Sequence, residues 1–193
     1  MAKARPITNL DTQAPTGTNA RVIARTRLEE LYEWDKYVDD PYQVHELHNL
    51  RIAAKRLRYT LEIFAPVLPE ACSGVLREVE QIQEELGELH DSDVMVALLR
   101  LCLGSLDSGV GYEDALVKAS YQQGKGRFLL NPDMAAYLLN PASAPSAGQR
   151  QGLEYLLLDL QKKREEQYAA FRQHWYQLQA RDFRREVLTI LDT

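Results

Sequence analysis

The sequence has only two cysteines, Cys72 and Cys102. They show neither the close pairing of a zinc site nor the density of a disulfide scaffold, so both are expected to be free thiols, and redox chemistry is not the expected function. No apolar run approaches the roughly 20 residues that cross a bilayer. The opening "MAKARPITNLDTQAP" also lacks the apolar middle of a secretory signal, so a cytoplasmic protein without a membrane partner is expected. Gly-rich phosphate loops, nucleophile elbows and other local catalytic motifs are absent. No stretch alternates with period two for long enough to demand a strand. Positive charge is in short supply as well: 23 Lys and Arg stand against 28 Asp and Glu, a net charge of −5. That balance argues against indiscriminate coating of nucleic acid, which usually shows as a basic domain, but it permits a focused anion site.

What the sequence does have is helical periodicity. Its 193 residues, 45% of them apolar, suffice for one domain with a substantial core. Residues 1–19 mix Pro, Thr, Asn, Gln and Gly without period and read as a flexible arm, leaving 20–193 as a single helical domain. A first helix is expected from Arg21 to Val38. A second should start at Pro41 and run to about Ala65, and a third should follow Pro69, with Val75, Val79, Ile82, Leu86 and Leu89 on one stripe. In "LHDSDVMVALLRLCL", Asp91 or Ser92 is expected to cap a short fourth helix, with Asp93 in its first turn. Turns are read at Gly104, Gly109 and Gly111, weaker helical pieces over 113–139 and a loop over 140–149. A long helix follows from about Gln149 to Leu178, and "RDFRREVLTIL" closes the chain as a short one. The fold class predicted is all-α, an antiparallel bundle of about four long helices plus short helices.

Charge is unevenly spread along this bundle. Residues 41–65 carry four Lys/Arg against two Glu, whereas 66–118 carry three against eleven. The basic segment is "VHELHNLRIAAKRLRYTLEIF", Val44 to Phe64. At about 100° per residue, His45, His48, Arg51, Lys55 and Arg58 form one stripe, with Arg56 at its flank. Leu50, Ala53, Ala54, Leu57, Leu61 and Phe64 lie on the other side. A merely solvated face would interleave acids with bases to gain i,i+4 pairs. This stripe is nearly uniform in sign, and its self-repulsion is relieved when an anion binds. Arginine suits bidentate recognition of phosphate oxygens, and histidine gains charge beside an anion, so binding is expected to strengthen as pH falls through the histidine range.

"HNLRIAAKRLRYTLEIF" followed by "IQEELGELHDSDVMVALL" resembles the CHAD family, the conserved histidine α-helical domain. The resemblance implies a helical bundle whose basic side chains bind inorganic polyphosphate. By position it implies anion contacts for His48, Arg51, Lys55, Arg56 and Arg58, and a supporting role for Asp91 and Asp93. His90 stands beside Asp91 in the second motif and is grouped with these supporting residues. Family members usually carry two such bundles in tandem. This chain shows the motif once, so either one bundle suffices, as a monomer with an open basic groove, or two chains assemble the missing half as a homodimer.

Outside the motif, Arg164 falls within the apolar stripe of Leu157, Leu160, Tyr168, Phe171 and Trp175. An inward arginine needs a partner, either a carboxylate on a facing helix or the anion itself. The expected function is non-catalytic binding of polyphosphate or a related polyanion through His45, His48, Arg51, Lys55, Arg56, Arg58 and Arg164, with no cofactor. The basic helix has Tyr59 but no spread of aromatics for base stacking, so nucleic acid is not the expected partner. One alternative is a helical protein-interaction scaffold. Another is a metal-dependent phosphohydrolase using His45, His48 and the His90–Asp91 pair, although the neighbouring cations disfavour a metal ion there.

Overall fold

The computed structural model of the chain describes residues 3–103 and 145–193. Among these residues there is no strand, and five α-helices are present: α1 Thr16–Tyr32, α2 Val44–Phe64, α3 Cys72–Cys102, α4 Ala147–Ala180 and α5 Phe183–Asp192. Short 3₁₀ turns lie at Asp35–Tyr37 and Ala65–Val67. The all-α class expected from the sequence is therefore the class observed. The glycine turns after Leu103, the helical pieces over 113–139 and most of the 140–149 loop lie outside the described residues.

The contacts divide the chain into two compact units, Met1–His90 with Glu166–Thr193, and Asp91–Glu165. In the first unit, pairs of contacts fix the direction of each neighbour. Gly17 lies against Val67 and Glu30 pairs with Arg56, so α1 and α2 are antiparallel. His48 meets His90 and Arg51 meets Gly87, so α2 and α3 are antiparallel. Glu88 accepts from Gln167 and Glu78 accepts from Arg181, which sets α3 against the C-terminal half of α4 in the same sense. Glu29 with Arg184 and Arg25 with Asp192 do so for α1 and α5.

The apolar stripes of these helices meet in one core. Leu28 and Leu31 of α1, Leu50 and Leu57 of α2, Val79, Ile82 and Leu86 of α3, Phe171 of α4 and Phe183 of α5 are all buried. The Tyr32 and Trp175 rings pack at 5.6 Å between centroids. Close approach of α1 to the end of α2 depends on Gly17, where a Cβ would come within 3.0 Å of the Val67 carbonyl oxygen. In the second unit, Val94, Val96, Ala97, Leu99 and Leu103 are buried, and Arg150 donates to the Leu103 carbonyl at 2.5 Å.

Three boundaries differ from the expectation. Helix α1 starts at Thr16 and stops at Tyr32, the chain continuing through the 3₁₀ turn. Helix α2 begins at Val44 and not at Pro41, because Asp40 captures the Tyr42 amide at 2.9 Å and the Gln43 side chain at 3.2 Å in an Asx-type turn. Most important, no break occurs at Asp91: α3 runs unbroken to Cys102, so neither Asp91 nor Ser92 is a cap. The apolar stripe simply continues through Val94 and Ala97, and no Pro or adjacent Gly opposes it.

Candidate functional site

On α2, the side chains facing α3 and those facing α1 carry the same charge but meet different partners. Towards α3, the His48 ring packs on the His90 ring with centroids 4.4 Å apart and planes tilted by 37°. One turn on, the Arg51 guanidinium lies over Gly87, where a Cβ would sit 3.5 Å from Nε and 3.9 Å from Nη2. The residue numbers of these two pairs fall along one antiparallel register, which places Gln83 opposite Lys55 and Glu80 opposite Arg58. His48 Nδ1, Arg51 Nε, Arg58 Nε and Gln83 Oε1 are buried without a hydrogen-bond partner. Four such groups along a single seam are unusual, because buried polar atoms are nearly always satisfied.

Electrostatics in the seam follow from the same arrangement. The His48 pKa is pushed down to about 4, first by burial and then by the neighbouring His90 and Arg51. At neutral pH His48 is therefore uncharged. The histidine-range titration expected from the sequence is displaced downward at this residue. His45 sits exposed in the first turn of α2 and adds a smaller effect of the same sign on His48. Further along, Lys55 is exposed with its Nζ 5.5 Å from the Tyr59 ring centroid, and the Arg58 guanidinium lies 4.9 Å from that centroid. Arg58 Nε also stands 3.4 Å from Glu62 Oε1, an ion pair too poorly aligned to count as a hydrogen bond.

Towards α1 the picture reverses. Arg56 pairs with Glu30, which also accepts from Arg27 at 2.6 Å, and this carboxylate is only 3% exposed. The structure thus sets Arg56 apart from His48 and Arg51 and commits it to a buried ion-pair group. Arg164, in the second unit, donates from Nε to Asp93 Oδ1 at 2.7 Å with both side chains nearly buried. Of the two partners considered for Arg164, the carboxylate is the one observed. Burial raises the Asp93 pKa above the ordinary carboxylate range, and the Arg164 contact opposes that rise. Asp91 is exposed on the surface of α3. Of the expected site residues, the structure therefore brings His48, Arg51 and His90 together, extends the row through Lys55 and Arg58, and leaves His45 at its open end.

Two members of the seam and one buried structural histidine were missed. Gly87 and Gln83 join the seam through the register of α3, a feature visible only once the helix pairing is known. His174 is the third: it is 9% exposed, with Nδ1 2.8 Å from Glu85 Oε2 and Nε2 3.2 Å from Glu78 Oε2. Hydrogen bonding to Glu85 raises its pKa, burial opposing this. Its signal was present in the sequence, since His174 stands beside Trp175 on the stripe of Phe171 and Leu178. Among the described residues, no group of three or more His, Cys, Asp or Glu is placed to hold a metal ion. Nor is any helix there long and apolar enough to cross a membrane.

Among the described residues, the seam between α2 and α3 gathers His48, Arg51, Lys55 and Arg58 of α2 along one side of the bundle. The family model of the CHAD domain matches residues 3–100, half of the chain, and the chain belongs to that family. The match covers α1, α2 and nearly all of α3, and so contains the whole His48–Arg58 row and its partners on α3. No curated protein and no solved structure matches the chain.

Proposed function

We propose that the α2–α3 seam binds a phosphate-rich polyanion without catalysis, and that inorganic polyphosphate, to which the CHAD family is linked, is the ligand class. The observation that carries this reading is the set of buried nitrogens His48 Nδ1, Arg51 Nε and Arg58 Nε, aligned on one helix face and making no hydrogen bond within the protein. From His48 to Arg58 the row spans about 15 Å at the helical rise, long enough for several successive phosphates. The cations replace condensed counterions, so affinity falls steeply with salt. Cytoplasmic residence belongs to the same reading and is supported by the two free cysteines. So does a homodimer, supported by the single copy of the motif, which light scattering at high and low salt tests.

The direct experiment is a titration of polyphosphates of several lengths, with DNA as competitor, into the chain and into the triple variant Arg51→Gln, Lys55→Gln, Arg58→Gln. Loss of binding in a variant of unchanged helicity and thermal stability is expected. Equal affinity in the two proteins sinks the assignment.

A further inference from the structure

Two ionisable rings packed 4.4 Å apart in a half-buried seam have a consequence for how an anion is held there. We propose that anion capture in the α2–α3 seam takes up one proton from solvent, carried by His48 where its ring packs on His90. This rests on the binding function proposed above and adds the ligand's proton linkage to it.

In the free protein every group documented around His48 opposes its charge. His90 faces it from α3, Arg51 and His45 lie on its own helix, and burial removes water from the ring, so His48 titrates at about 4. An anion beside Arg51 and His48 supplies negative charge next to a ring whose neighbours are His90, Arg51 and His45, and the imidazolium becomes the favoured form. Only one ring gains a proton, because two imidazoliums 4.4 Å apart would repel across a site of low dielectric. The proton moves from buffer to a ring nitrogen, and no covalent bond to the ligand forms.

Between the free and the bound pKa of His48, affinity should change about tenfold per pH unit, strengthening as pH falls. The test is isothermal titration calorimetry with long-chain inorganic polyphosphate at about pH 5.5, between the free and the expected bound pKa, in buffers of different ionisation heat, on the chain and on His48→Gln. About one proton per site is expected in the chain, and none beyond the ligand's own exchange in His48→Gln. Intact binding with equal proton uptake in the two proteins overturns the linkage alone. Failure of the chain to bind polyphosphate at all overturns the linkage and the proposed function together. Should His48→Gln fail to fold, the ring proton resonance of His48 in the unaltered chain decides the matter. With polyphosphate bound its pKa should rise from about 4 towards about 7. A value that stays near 4 rejects the proposal.

Discussion

Helix α3 presents opposite environments to two histidines. To His174 it offers Glu78 and Glu85, one carboxylate for each ring nitrogen, and the pKa rises. To His48 it offers His90, with Arg51 over Gly87 beside it, and the pKa falls to about 4. The same contrast separates the arginines of α2: Arg56 is neutralised by Glu30, whereas Arg51 Nε is buried with no acceptor. Charge buried with its counter-charge serves the fold. Buried donors left without acceptors weaken the fold, and under the proposed function an anion satisfies them.

The sharpest way to break this comparison is to remove a counter-charge. Glu30→Gln leaves Arg27 and Arg56 without their carboxylate, and should cost about 3 kcal/mol in urea unfolding, at the lower end for a broken buried pair, while polyphosphate affinity holds. An intact fold with lost affinity would place Glu30 in the anion site and erase the distinction between the two flanks.

A smaller loss, about 2 kcal/mol, is expected for His174→Leu at pH 6, from the hydrogen bonds to Glu78 and Glu85. Because the folded pKa of His174 lies above its unfolded value, its contribution is complete below about 6.5. It disappears as pH rises through the folded pKa. Melting curves of the two proteins should therefore converge towards alkaline pH, and a gap that is constant with pH would show that packing, and not charge, is what His174 supplies.

For Arg51→Gln the order reverses: affinity should fall roughly tenfold, equivalent to about 1.4 kcal/mol, with thermal stability unchanged or raised. Stability that drops as far as in Glu30→Gln would make Arg51 a structural cation. The smallest effect is expected at Gly87. A methyl there would meet Arg51 Nε at 3.5 Å, an ordinary contact, so Gly87→Ala should raise stability by up to about 1 kcal/mol through helix propensity, with little change in affinity. A marked loss of affinity would show that the guanidinium needs the space above Gly87 to move.

Helical periodicity is written locally, and for that reason α2, α4 and α5 emerged from the sequence within a few residues of their observed ends. The stripe holding His48, Arg51, Lys55 and Arg58 is legible for the same reason, since 3.6 residues per turn fix which side chains share a face. The expected break at Asp91 failed because capping residues also occur inside helices when tertiary contacts bury the turns around them, as at Val94 and Ala97.

The sequence by itself determined that this chain is helical and that one of its helices concentrates cations opposite an apolar face. Only the tertiary structure decided which cations are neutralised. Arg51 and Arg56 are near neighbours on α2 with the same charge, yet the first meets Gly87 of α3 and the second Glu30 of α1. The physical reason is range: a helix face is set by residues three and four apart, whereas a counter-charge arrives from another helix, whose identity and register depend on how the apolar stripes pack.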